Sequence, residues 1–154
     1  MTKIALMLGG NLPGTPAAMS EAVEKLRLAG VREIVCSDKF SSAPVDCVPG
    51  TPDFLDMALT GYWNDSPEKL LLLCQKLEIE AGRPAVHSSR ESRILDCDII
   101  LFGDLVLQSE FLTIPHPRAR ERQFVLEPLA QIAPQMLFPD GMSVKEAWQK
   151  LESK

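Results

Sequence analysis

Residues 3–10, KIALMLGG, alternate from side to side and end in two glycines, the pattern of a strand that runs into a turn. From 17 to 29 the apolar residues Met19, Ala22, Val23, Leu26 and Leu28 recur at helical spacing, and Gly30 follows as a stop. Residues 31–45, VREIVCSDKFSSAPV, are β-rich and predict one long strand broken by Pro44. Pro49, Gly50 and Pro52 mark 46–52 as a loop. Residues 53–63, DFLDMALTGYW, alternate again, with Phe54, Asp56, Ala58, Thr60 and Tyr62 on one face. Ser66 before Pro67 predicts a capped helix start. That helix buries Leu70, Leu73, Cys74 and Leu77 and runs to about residue 81, where Gly82 ends it. Residues 83–92, RPAVHSSRES, have no period and read as a loop. A strand over 93–103, a turn at Gly103 and Asp104, and a short strand at 105–107 come next. Two helices complete the pattern, one within 114–134 after a proline-bracketed histidine and one over 143–152.

The element order is β-α-β-β-α-β, then a hairpin strand and two helices. It predicts an α+β fold with a ferredoxin-like βαββαβ core, an antiparallel sheet and helices packed on one of its faces. A chain of 154 residues supports one domain over 1–154 with a substantial core.

The segment RILDCDIILFG, residues 93–103, departs from an ordinary core strand. Alternation places Asp96, Asp98, Ile100 and Phe102 on one face and Leu95, Cys97, Ile99 and Leu101 on the other. Two like charges side by side in an apolar strand need positive charge nearby. One reading is a structural salt bridge to neighbouring arginines; the other is a Mg²⁺ site completed by water and substrate phosphates.

Charge distribution bears on that choice. Net charge is −5, which argues against a general nucleic-acid or membrane surface. Yet Arg83, Arg90, Arg93, Arg118, Arg120 and Arg122 gather in a stretch without lysine, and the guanidinium fork suits phosphate. Once a helix has begun, Arg118 and Arg122 at i and i+4 share a face, whereas Arg120 points elsewhere, into solvent. Cys36, Cys47, Cys74 and Cys97 show no C-x-x-C spacing, which predicts reduced thiols and a cytoplasmic protein. The opening apolar run is too short for a signal segment, and no run is long enough to cross a membrane.

Several of these segments together resemble the family of 6-hydroxymethyl-7,8-dihydropterin pyrophosphokinases. They are RILDCDIILFG, then IPHPRARERQFVLEPLAQIAP at 114–134, with GGN at 9–11, FSSAP at 40–44, PDFLD at 52–56, LEIEAGR at 77–83 and FPDG at 138–141. The resemblance implies transfer of pyrophosphate from ATP to a pterin hydroxymethyl group, with release of AMP. It implies that Asp96 and Asp98 hold two Mg²⁺ ions and act in catalysis with Arg83 and Arg93. It implies ATP contacts from Glu78, Arg93, His116, Arg118 and Arg122. On the pterin side it implies Ser42, Ala43, Val45, Phe54, Asp56 and Phe124, with Phe124 stacking on the ring. The loops at 12–14, 46–52 and 83–92 are then expected to close over ATP and the hydroxymethyl-dihydropterin, in a monomer with no nucleic-acid or membrane partner.

Departures from the family pattern are specific. Gly9-Gly10-Asn11 stands where Gly-Ser-Asn is usual, and Arg90 and Ala85 stand at a tryptophan and an arginine position. Asp56 replaces a pterin-reading asparagine; a carboxylate accepts from N–H groups but does not donate to a carbonyl. Asp56 is therefore also compatible with a divergent ATP-binding relative acting on another hydroxymethyl heterocycle. A non-catalytic ferredoxin-like binding module would call for aromatics and a basic face, against 6% aromatics and an acidic balance.

Overall fold

The computed structural model describes residues 1–44, 49–82 and 92–154. Strands β1 (Thr2–Gly10), β2 (Arg32–Cys36), β3 (Phe40–Ser42), β4 (Phe54–Trp63) and β5 (Asp96–Phe102) form one antiparallel sheet in the order β2-β4-β1-β5, with β3 also on β4. Helices α1 (Thr15–Leu28) and α2 (Pro67–Glu80) make the crossovers of a βαββαβ core, as the element order predicted. Strands β6 (Leu107–Gln108) and β7 (Thr113–Ile114) pair as a separate hairpin, followed by α3 (Gln123–Ile132) and α4 (Val144–Glu152).

Helices cover both faces of the sheet rather than one. Ile4, Leu6 and Leu8 of β1 pack with Met19, Leu26, Leu70 and Cys74 of α1 and α2. Ala5 and Met7, on the opposite side, pack with Val125, Leu126, Leu129 and Val144 of α3 and α4. A central strand sandwiched in this way is buried without a break from Ile4 to Gly10. Each fully buried leucine contributes about 2–3 kcal/mol over the exposed state.

The helix starts follow their local chemistry. The Ser66 hydroxyl accepts from the Lys69 N–H at 3.2 Å, and Ser143 makes a reciprocal capping box with Glu146. The predicted strand over 31–45 divides earlier than Pro44, at residues 37–39 between β2 and β3. There Ser37 replaces a plain ladder contact: its Oγ accepts from the Ala58 N–H at 2.9 Å and donates to the Asp38 carbonyl at 2.7 Å. Cys36, Cys74 and Cys97 are free thiols, as expected; Cys47 lies outside the described residues. Among the described residues no helix is long and apolar enough to cross a membrane.

Strand β5 breaks the predicted alternation. Leu6 faces Ile99 and Ala5 faces Leu101, so Ile100 is an extra residue in the ladder. Beyond it the faces exchange: Phe102 joins the α1/α2 side, and Leu101 joins the side that carries Asp96 and Asp98. The Ile100 carbonyl accepts from the His116 N–H at 3.1 Å, so the bulge ties the segment after β7 to the strand bearing the carboxylates.

Candidate active site

Strand register brings the polar residues together. Gly9 of β1 faces Asp56 of β4 on one side and Asp96 of β5 on the other, so the two carboxylates stand in one row across the sheet. In the next row on that face, Met7 lies between Ala58 and Asp98. Two strand spacings separate the Asp56 and Asp96 backbones by about 10 Å. A cleft of about 570 Å³ opens over these rows. Asp56, Ser42, Ala43, Phe54 and Phe124 line it with Asp96, Asp98, Arg93, His116, Arg118 and Arg122. Arg83 and Val45, two further expected members, lie outside the described residues.

Arg93 and Asp96 form an ion pair, Nη1 to Oδ2 at 2.9 Å, both largely shielded from solvent. The salt-bridge reading of the aspartates therefore holds for Asp96. Asp98, two residues on, is exposed to the cleft. The Arg93 guanidinium also lies 5.7 Å from the centre of the Phe54 ring.

Arg93 is held by a residue that sequence reasoning gave no role. The Asn11 backbone N–H donates to the Arg93 carbonyl at 2.9 Å, and the Asn11 Oδ1 accepts from the Arg93 N–H at 2.8 Å. Its Nδ2 donates to the Pro52 carbonyl and the Ser92 hydroxyl, each at 3.2 Å. Asn11 is only 6% exposed, and it joins the end of β1 to the segments leading into β4 and β5. Thr15 adds a second tie, its hydroxyl donating to the Ile94 carbonyl at 2.7 Å. A polar residue directly after a buried Gly-Gly strand end was the available signal.

His116, Arg118 and Arg122 reach the cleft without a shared helix face. Pro115 follows a cis bond, residues Ala119–Glu121 form a 3-10 turn, Arg122 is extended, and α3 begins only at Gln123. The irregular path directs both arginines to one cleft. Burial and the neighbouring Arg118 press Arg122 below the usual guanidinium range, with Asp98 opposing them. Burial, then Arg122 and Arg118, hold the His116 imidazole below its usual range, so it is neutral near pH 7. Cations crowded at one end of a cleft, beside a neutral imidazole, suit a bound anion. Arg120 does point away from them, but not into solvent: it pairs with Asp140 at 2.7 Å and stacks 4.1 Å from the Phe138 ring centre.

Glu78 is not among the residues lining the cleft. Its carboxylate accepts from the Cys97 N–H at 2.9 Å, bracing β5 from the α2 side between the two aspartates. The helix period that predicts the buried side of α2 does not reveal a bond to a strand amide far along the chain.

Asp56 is buried, at 6% exposure, and its Oδ2 accepts from the Ser42 hydroxyl at 2.6 Å. Burial pushes its carboxyl up to about 6; the Ser42 bond opposes the shift and Asp96 adds to it. The folded protein thus holds this proton more tightly than the unfolded chain does. The ionised carboxylate costs nothing below about pH 4; the cost grows between about pH 4 and 6 and levels off near 3 kcal/mol above that. Asp56→Asn is expected to raise stability by about 2–3 kcal/mol at pH 8 and to change it little at pH 4. Urea unfolding at the two pH values checks this, and an equal shift at both would contradict it.

A family model for 7,8-dihydro-6-hydroxymethylpterin-pyrophosphokinase matches residues 5–134. The 2-amino-4-hydroxy-6-hydroxymethyldihydropteridine pyrophosphokinase of Methylorubrum extorquens is 34% identical over 157 residues, covering 99% of this chain and 95% of that protein. The enzyme of the same name from Haemophilus influenzae is 34% identical, covering 92% of this chain and 88% of its own length. The folic acid synthesis protein fol1 of Pneumocystis carinii is 32% identical over 96% of this chain, but the chain spans only 20% of it. In fold, the chain resembles a Plasmodium falciparum HPPK-DHPS crystal structure with pteroate, with a TM-score of 0.73 at 13% identity. That match covers 99% of this chain and 42% of the larger one. With the family model reaching from residue 5 to residue 134 and bacterial relatives matched along nearly their whole length, the chain belongs to the 7,8-dihydro-6-hydroxymethylpterin-pyrophosphokinase family.

Proposed function

We propose that the chain transfers a pyrophosphoryl group from ATP to the hydroxymethyl group of 6-hydroxymethyl-7,8-dihydropterin, giving the diphosphate ester and AMP, a step of folate biosynthesis. The observation that carries this reading is the row Asp56–Gly9–Asp96 under a single cleft. It sets a hydrogen-bonding carboxylate with Ser42 at one end of the row and the Asp96 carboxylate at the other, the two ends that a pteridine with a reacting hydroxymethyl group would use. Asp56 and Ser42 take the pyrimidine edge, Phe54 and Phe124 the ring faces, and the reacting oxygen lies toward Asp96 and Asp98.

The carboxylates fit Mg²⁺ by their chemistry: two hard oxygen donors two residues apart on one strand face. Beyond these two carboxylates, triphosphate oxygens and water would supply the remaining positions of the shell. Two Mg²⁺ ions held at Asp96 and Asp98 would neutralise triphosphate charge and make the hydroxymethyl a better nucleophile.

The chain's own groups then position and stabilise. Phosphoryl transfer asks for in-line placement and for positive charge on the oxygens, with no covalent nucleophile. Arg118 and Arg122 bind the triphosphate, and its charge relieves their mutual repulsion. Neutral His116 donates an N–H to a phosphate oxygen. Its Nδ1 faces the Arg118 backbone N–H at 3.4 Å, which leaves Nε2 as the donor. Arg93, oriented by Asn11 and Asp96, contributes a further cation between the pterin and phosphate ends. Arg83 is proposed to join it from the segment preceding β5.

Incubation with ATP, Mg²⁺ and 6-hydroxymethyl-7,8-dihydropterin is expected to yield AMP and the pterin diphosphate in equal amounts. ATP binding without AMP formation would remove the pterin from this reading.

A further inference from the structure

The pterin end of the cleft carries an unusual reader. Asp56 is buried and acceptor-only, with Oδ2 accepting from Ser42 and Oδ1 beside the position a Gly9 side chain would occupy. A second carboxylate, Asp96, stands across Gly9 in the same row. Arg93, which also lines the cleft, is paired with Asp96. The flanking rings accept positive charge: Arg93 lies 5.7 Å from the Phe54 centre, and Arg122 lies 5.4 Å from that of Phe124. Carboxylates beside aromatic faces suit a flat ligand with two adjacent N–H donors and a delocalised positive charge.

We propose that Asp56 makes this cleft a binding site for flat bicyclic amidinium cations, the 2,4-diamino heterocycles, in preference to the neutral 2-amino-4-oxo compounds. The proposal rests on the pterin reading of this end of the cleft. Either ligand offers Asp56 two neighbouring N–H groups. Bonds to the ionised carboxylate are charge-assisted with either ligand, but only the protonated diamino ring brings an opposite charge as well, so only it adds ion-pair attraction in a site shielded from water. An amide at 56 reverses the preference. It donates one bond and accepts one, which matches the N–H and carbonyl edge of the oxo ring and wastes its donor on the cation.

A matched pair of quinazolines tests this: 2,4-diaminoquinazoline and 2-aminoquinazolin-4-one, titrated calorimetrically at pH 8 into the full chain. The native protein is expected to bind the diamino compound at least about tenfold more tightly. Asp56→Asn is expected to reverse that order. Ser42→Ala, which removes the donor competing for Oδ2, is expected to keep or widen the native preference. Equal affinities, or an unchanged order in Asp56→Asn, would overturn the proposal, as would a Ser42→Ala protein that has lost the preference. Turnover of 6-hydroxymethyl-7,8-dihydropterin alongside any of these results leaves the pterin reading standing. If neither quinazoline binds and the pterin is not turned over, both fall together.

Discussion

Asp98→Ala is expected to lower the rate of AMP formation by roughly a thousandfold with little change in stability. The two parts of that expectation have separate causes. Asp98 is exposed to the cleft and lies at the edge strand of the sheet, where loss of a carboxylate costs little in folding. Its value is expected in turnover, because under the proposed function the metal and the transferring phosphate would depend on oxygen donors at this end. Asp96 is the weaker test, since its bond to Arg93 already gives it a structural role. Asp96→Ala would lower both activity and stability and would leave the salt-bridge and metal readings entangled. Single-turnover measurement of AMP, with a urea midpoint on the same sample, separates them for Asp98. Full activity in Asp98→Ala would end the assignment of this residue to the metal, whatever Asp96 does. A large loss of stability would show that the charge is chiefly structural.

Much of this site was legible in the chain because its chemistry is written in short local patterns. The i, i+2 aspartates of β5 needed only the strand period, and a count of arginines pointed to Arg93, Arg118 and Arg122, which line the cleft, though also to Arg120, which does not. The strand row that joins Asp56 to Asp96 was not legible, because it depends on register between β4, β1 and β5. The bulge at Ile100 was hidden for a similar reason: alternation continues through the sequence while the ladder skips a residue. A regular i, i+4 reading of Arg118 and Arg122 failed because the chain passes through a 3-10 turn and an extended residue before α3 begins. Glu78 was expected at the nucleotide from the resemblance; its observed bond to Cys97 is a tertiary contact that no period encodes. The second helical layer went unseen because predicted helices carry no label for the face of the sheet they cover.

Gly10→Ser, the change that restores the usual family residue, is expected to be harmful in this chain. A Cβ at Gly10 would fall 2.1 Å from the Ile94 carbonyl oxygen and 2.5 Å from the Thr15 hydroxyl. The first of these is backbone, and it is already held by the Thr15 bond at 2.7 Å. The Ile94 segment cannot retreat alone, because Asn11 ties the adjoining Arg93 through both its N–H and its carbonyl. Relief therefore requires the entry to β5 to shift, carrying Arg93 and Asp96 with it. Overpacking of this kind costs about 3 kcal/mol, and the displaced ion pair should lower turnover well beyond what the loss of folded protein explains. Thr15→Ala by itself removes two hydroxyl bonds, one given to the Ile94 carbonyl and one accepted from the Leu12 N–H, and should cost about 1–2 kcal/mol. Combined with Gly10→Ser it clears the 2.5 Å contact but not the 2.1 Å one, so the double variant should recover only part of the loss. A Gly10→Ser protein as stable and as active as the native chain would mean that the β1–β5 junction is far softer than this packing implies. Full recovery in the double variant would instead make the Thr15 hydroxyl the sole obstacle, with serine and threonine as alternative occupants of one site.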